Sequence, residues 1–358
     1  MRLNRYHAPV LVCALLILFL VLLPTGFEDR EAFQESDIRP ALVLSTDEST
    51  VVDTGLVRSG EQRCRLRVLS GPFRGQIAEG RNLLSGSLEQ DKLFSAGDRA
   101  LVRINYQGEE ILSVSMIDHY RSPWEALLAA LFVLLLVAFA GQTGLRALLS
   151  FVLTVLMLWK VLVPLYLKGW DPVWVGLAVT LALTVLIISL VYGFDRRCAA
   201  AVSGAFLGIL VTCAMGGVFT RLFQIHGAVM AYSESLLYAG YQHLDLTRIF
   251  MASIFIGASG AVMDLSVDIT SAVCEVVEKR PGLSRREAVK SGLNVGRAAM
   301  GTMTTTLLLA YSGGYAALLM VFMAQGTPLS NILNYKYVAA ELLHTCLLYT
   351  SDAADDGE

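Results

Sequence analysis

The sequence predicts a polytopic α-helical membrane protein of about seven to eight transmembrane helices, the last truncated, with a small extracytoplasmic β-rich domain after the first helix. Three observations lead there. The 358 residues are 55% hydrophobic and 16% charged, where soluble domains average about 25% charged. Apolar runs of spanning length recur, since a hydrocarbon core of ~30 Å needs about 20 residues per crossing. Between the first two runs lies a polar stretch whose apolar residues alternate with the period of a strand.

The first run, Ala8–Leu23, follows Arg2 and Arg5. No A-x-A cleavage signal succeeds it, the chain reading LLPTGF, so residues 1–24 read as a cytoplasmic N-terminus and uncleaved signal anchor. Residues 25–122 form the predicted β-rich domain. Its strand-like runs are ALVLS (41–45), TVVDTGLV (50–57), CRLRVLS (64–70), RALVRINY (99–106) and EILSVSMI (110–117), separated by turn signals such as SGPFRG, SAGD and YQGEE. Arg63, Arg65 and Arg67 alternate along one run, and a solvated strand face outweighs an anion site as their explanation.

The membrane domain, residues 123–346, is expected to cross at Trp124–Ala140, Leu145–Val163, Val173–Tyr192, Ala199–Phe219, Ile249–Asp268 and Met300–Met323. An eighth run begins near Tyr337 and reaches only roughly 16 Å before polar residues interrupt it. The closing LLYTSDAADDGE resembles translated sequencing-adapter read-through, so 347–358 are read as a non-native tail. With the N-terminus inside, the inner loops hold eleven Lys and Arg and the short outer loops five, the asymmetry of a cytoplasmic-membrane protein. Trp124, Trp159, Trp170 and Trp174 then sit at outer span ends, as an interfacial belt requires.

Several function classes are excluded by what the chain lacks. A net charge of −3 argues against nucleic acid as a partner. Of six cysteines only Cys64 lies in the polar region, and no CxxC or Cys/His cluster exists, so neither a disulfide framework nor a metal site is expected. There is no GxSxG, HExxH or Walker motif. No catalytic residue, cofactor or enzymatic activity is expected.

The stretch 249–314 carries the chemistry. An acid in hydrocarbon costs roughly 2.5–3.5 kcal/mol, yet Asp264 and Asp268 stand in an apolar helix. At 100° per residue Asp264, Asp268, Ser271 and Glu275 fall within about 60° of one another. Taking Ile249 as the outer entry, Asp264 lies about 22 Å deep and Asp268 about 28 Å. Such a stripe is expected to face other helices or a water-filled cavity, and paired acids suit proton or cation passage. Asp264 is the leading coupling candidate, then Asp268. The plainer alternative leaves Asp268 marking a helix end and Asp264 bonded to a neighbouring hydroxyl. Thr304 and Thr305 would supply hydroxyls from the next span, although membrane threonines often bond their own backbone. Gly204 with Gly208, and Gly257 with Ala261, have small-xxx-small spacing for helix packing. Gly313 and Gly314 are a candidate hinge. Ser284 and Glu287 have capping-box spacing at the head of that span.

The runs GASGAVMDLSVDITSAVCEV (257–276) and EAVKSGLNVGRAAMGTMTTTLLLAYSGG (287–314) resemble the YibE/F family of bacterial membrane proteins. So does the layout of one N-terminal span, an outer β-rich domain with SGPFRG and AGD, and a multi-span domain, covering residues 1–346. The resemblance implies a bacterial membrane protein without an assigned activity. Residues 257–314 are also faintly similar to one half of the RND exporters and SecF, which implies a proton-relaying role for Asp264 or Asp268.

Together these readings suggest a permease-type transporter or transport component for a small solute or ion, proton-coupled through Asp264. The rival is a non-transporting scaffold or sensor whose β-domain binds a ligand or partner. An intramembrane aspartyl protease is disfavoured because its two acids normally come from facing helices, and here they share one. The partners expected are the lipid bilayer and a second membrane subunit, either another copy of the chain or a paired protein.

Overall fold

The computed structural model describes residues 7–27, 36–88 and 90–354; in residues 304, 307, 310–312 and 348–354 it describes the backbone alone. The chain divides into two compact units, Glu28–Ala138 and the remainder.

The smaller unit is a β-barrel followed by a helical arm. Its strands are β1 (Ser36–Asp47), β2 (Val52–Asp53), β3 (Arg58–Val68), β4 (Ile77–Ser85), β5 (Arg99–Gln107) and β6 (Glu110–His119). The sheet order is β1-β5-β6-β4-β3-β2, and β1 also pairs with β3, which closes the sheet on itself. All pairings are antiparallel except β4 with β6. Leaving out the two-residue β2, the circuit runs first-second-third-fifth-fourth-first with the third and fifth strands parallel, the connectivity of a five-stranded OB barrel. Alternation drives it: along β3 every second residue from Gln62 to Val68 is buried, while Arg63, Arg65 and Arg67 point outward. The core holds Ala41, Val43, Cys64, Leu66, Phe94, Val102, Ile104 and Val114.

Two strand expectations are corrected. The run 50–57 is mostly turn, paired only at Val52 and Asp53. Residues 77–85 form a nine-residue strand that the alternation did not announce, because Gly80 and Asn82 interrupt its apolar pattern. Both interruptions are used. A Cβ on Gly80 would lie 2.7 Å from Leu66 Cδ2 and 2.8 Å from Met116 Sδ, so a larger residue there would force those side chains to move. Asn82, 1% exposed, donates to the Gln62 side chain at 3.1 Å and the Lys92 carbonyl at 2.6 Å.

The arm begins α2 (Ser122–Met157), whose backbone leaves helical geometry at Gly141 with φ 54° and ψ −125°. The smaller compact unit runs to Ala138 and so takes in the first part of α2, whose side chains are mostly exposed.

The larger unit is helical. It contains α1 (His7–Leu22), the rest of α2, a π-turn (Leu158–Leu162), α3 (Val163–Leu167), α4 (Pro172–Tyr192), α5 (Arg196–Leu222), α6 (Ser233–Tyr238), α7 (Leu246–Lys279), α8 (Arg285–Ala324), α9 (Leu329–Leu333) and α10 (Lys336–Ala354). The π-turn directly precedes Pro164, which cannot donate to the helical ladder. Local signals set the ends: Asp171 caps α4 ahead of Pro172, Asp195 caps α5, Asp245 caps α7, and α8 opens with the expected Ser284–Glu287 capping box. Lys160 donates to the Leu23 carbonyl at 3.0 Å, closing the C-terminal turn region of α1.

Among the described residues, four helical stretches are long and apolar enough to cross a membrane: Ser122–Leu167, Pro172–Tyr192, Arg196–Leu222 and Leu246–Lys279. His7–Leu22 and Gly313–Ala324 are apolar but shorter. By length and composition four stretches qualify, which does not confirm the seven to eight separate spans expected. Two of them merge in Ser122–Leu167, a stretch of 46 residues.

Candidate functional site

The bundle packs around α7. On one side Leu177, Ile188, Ala201, Ala205 and Ile209 of α4 and α5 meet Ala252, Phe255 and Val262. Phe250 and Ile254 pack with Ala340, Leu343 and Leu347 of α10.

Two polar contacts fix the level of α7 against α4. At one end the Arg248 guanidinium pairs with Asp171, the α4 cap. At the other the Tyr192 hydroxyl donates to the Val267 carbonyl at 2.5 Å and shares a hydrogen bond with the Ser271 hydroxyl at 2.6 Å. Arg248 and Ser271 are separated by roughly 34 Å of helix, close to the ~30 Å of a hydrocarbon core. Asp264 lies about 10 Å before Ser271 on this ruler, and Asp268 about 5 Å before it. Both therefore fall between the two polar anchors.

Asp264, Asp268, Ser271 and Glu275 are all exposed, so the predicted single face exists. Its covering differs from expectation. The stripe was expected to face neighbouring helices or a water-filled cavity, but among the described residues no helix of this chain covers Asp264 and no hydroxyl reaches its carboxyl. Gly257 and Gly260 continue the same face, and a Cβ on either would meet nothing within 4 Å. Gly257 is thus open to close packing among the described residues, whereas Ala261 is half-buried. The face is closed only at its far end, where Ser253 lies 3.4 Å from His344 Nε2 and Phe250 stacks on the His344 ring at 5.1 Å.

The other candidates separate. Gly208 is buried between α5 and its neighbours. Gly204 instead lines a cavity of about 300 Å³ with Ser203, Ser266 and Thr270, on the side of α7 turned away from the acids. Thr302 and Thr306 bond backward to the Ala299 and Thr302 carbonyls, each at 2.9 Å. Thr305 is exposed, and the Thr304 side chain lies outside the described residues. α8 runs through Gly313 and Gly314 without a break.

Sequence reasoning passed over His344 and Glu341 because the apolar run around them is too short to span a membrane. His344 is largely enclosed against α7, and Glu341 lies near Tyr315 of α8 with its Oε1 atom buried without a partner among the described residues. The signal was present: an acid and an imidazole three residues apart in an otherwise apolar helix.

A family model described as YibE/F-like protein matches residues 128–348, more than half of the chain. The chain belongs to the YibE/F-like family. The matched residues contain α7, α8 and all the polar groups just described, whereas the β-barrel lies outside them. No curated protein and no solved structure matches the chain.

Proposed function

We propose that this YibE/F-like chain is one subunit of an integral-membrane permease for a small solute or ion, in which the acidic face of α7 lines the path and a second membrane subunit closes it. One observation carries the reading: two carboxylates lie between the polar anchors of α7 on a face that the described residues leave open. Each would cost roughly 2.5–3.5 kcal/mol against lipid. A partner helix on the Gly257–Gly260 notch removes that cost and leaves a polar seam.

The Lys and Arg asymmetry supports a cytoplasmic N-terminus and an extracytoplasmic barrel in a bacterial membrane. Ser122–Leu167 is about 69 Å long if fully helical, enough for two crossings, which supports a higher span count than four.

The test is proton flux in proteoliposomes loaded with a pH-sensitive dye, under an imposed pH gradient. Wild-type protein should exceed empty liposomes, and Asp264→Asn should abolish the excess while folding and insertion remain intact. Wild-type vesicles no leakier than empty ones would sink the reading.

The second reading is a ligand-binding scaffold or sensor. It is favoured by the barrel, which carries a cleft of about 810 Å³, against about 300 Å³ for the membrane-unit cavity. Unchanged flux in Asp264→Asn, together with ligand capture by the barrel, would select it.

A further inference from the structure

The barrel is closed unequally. β4 and β6 meet at only two register positions, Gly80 opposite Val114 and Arg81 opposite Ser115. Beyond this contact, on the C-terminal side, the chain fills the gap itself. Phe94 is 1% exposed; Gln62 donates to its carbonyl at 2.9 Å and accepts from its amide at 3.1 Å. The Phe94 ring packs on His119 at 4.6 Å. An extended segment, Lys92–Phe94, thus stops one half of the seam.

The other half is empty. Ile77–Glu79 pair only with β3, and Glu110–Ser113 only with β5. The two facing edges have no strand partner among the described residues, and the cleft of about 810 Å³ lies between them. Unpaired strand edges are templates for another strand, and natural proteins usually cover or blunt them. Among the described residues nothing covers them and no proline blunts them. At mid-cleft Ile77 and Leu112 keep apolar side chains exposed, at 54% and 62%.

Charge is divided along the cleft. Arg63 and Arg81 stand at the closed end, sharing Glu61 at 3.2 and 3.9 Å. Glu109 and Glu110 stand at the open end, with no ion pair among the described residues. Four carboxylates, counting Glu61 and Glu79, which pair with Arg63 at 3.2 and 3.9 Å, oppose two guanidiniums, so an anionic polymer would be repelled over half its length. A peptide with one charge of each sign would not.

We propose that this cleft binds an extended peptide segment of a protein partner as an added β-strand. The strand runs antiparallel to β4 and β6, with an acidic side chain toward Arg63 and Arg81 and a basic one toward Glu109 and Glu110. Main-chain pairing gives the affinity and the end charges set direction. The proposal goes beyond the permease reading and does not depend on it, because its test involves no flux.

The experiment uses the full chain in lipid nanodiscs and a labelled heptapeptide with Glu first, Lys last and alternating Thr and Val between. Hydrogen exchange should slow in residues 77–79 and 110–113 when the peptide is added. N-methylating alternate peptide amides should weaken binding by about tenfold, and the double variant Glu109→Ala, Glu110→Ala by about threefold. Reversing the end charges should weaken binding similarly. Absent protection in those two segments, equal affinity for the N-methylated peptide, or displacement by heparin at lower concentration than unlabelled peptide would each overturn the proposal, the last in favour of an acidic glycan.

Discussion

The hydroxyl of Tyr192, the last residue of α4, meets the hydroxyl of Ser271 on α7 at 2.6 Å. With the Arg248–Asp171 pair at the opposite end, it pins two long helices in register. That register decides the depth of Asp264, two turns from Ser271. Removing the phenol should cost about 0.5–1.5 kcal/mol. Tyr192→Phe is therefore expected to lower the thermal unfolding midpoint of the purified protein, and Ser271→Ala should do less, because the Val267 carbonyl still accepts from Tyr192. Equal midpoints for wild type and Tyr192→Phe would show that the register is set by apolar packing alone.

Gly80 stands where β4 meets β6, opposite Val114. A methyl group there would press on Leu66 and Met116 at 2.7 and 2.8 Å, both buried. Overpacking of this kind costs typically 1–3 kcal/mol. Gly80→Ala should speed hydrogen exchange in residues 80–81 and 114–115 before it affects the β1–β5 ladder. If exchange is unchanged, Met116 yields freely and the seam is looser than the distances imply.

Much of this was legible from residue order because it follows from local rules. Alternation along CRLRVLS (64–70) announced the second half of β3, and the Ser284–Glu287 spacing announced the start of α8. The 100° increment placed Asp264, Asp268, Ser271 and Glu275 on one face, since that depends only on helix geometry. What covers that face was not legible, because covering is a property of neighbours: α10 reaches Ser253 through His344 and then leaves Gly257 open. β4 was missed for a similar reason. Asn82 looks like a strand breaker until Gln62 and the Lys92 carbonyl, distant in sequence, supply its partners. His344 and Glu341 were missed because the short apolar run around them was discounted as a fragment.

Asp91 gives the barrel an acid-sensitive loop. The Ser85 amide, then the Ser85 hydroxyl and the amides of Gly86 and Ser87, donate to its carboxylate. These bonds, the Ser85 amide first, hold its pKa below the usual carboxylate range against an opposing loss of solvation. A depressed folded-state pKa contributes stability that is complete above the unfolded value of about 3.9 and disappears as pH falls through the folded one. At pH 7, Asp91→Asn should therefore exchange amides 85–94 faster than wild type, and the difference should shrink below about pH 4. A difference independent of pH would assign the loop's order to Phe94 and Gln62 instead.

The open face of α7 makes the most direct claim about assembly. Gly257 and Gly260 present a notch in which an added methyl group would find nothing within 4 Å, one to two turns outward from Asp264. Small residues on one helix face, here with Gly257 and Ala261 at small-xxx-small spacing, let helix backbones approach closely, and the carboxylates beside them exclude lipid as the natural cover. If a second copy of the chain provides the cover, Gly260→Cys, in a background with the natural cysteines replaced by serine, should form a disulfide-linked dimer in native membranes under mild oxidation. Cysteine at Val218 of α5, an exposed apolar position, should not. A paired but different subunit would leave Gly260→Cys uncrosslinked to itself yet shielded from maleimide in membranes and reactive after purification. Ready modification of Gly260→Cys in native membranes, without any dimer, would mean that the face stands open to water, and neither form of a two-subunit path would survive.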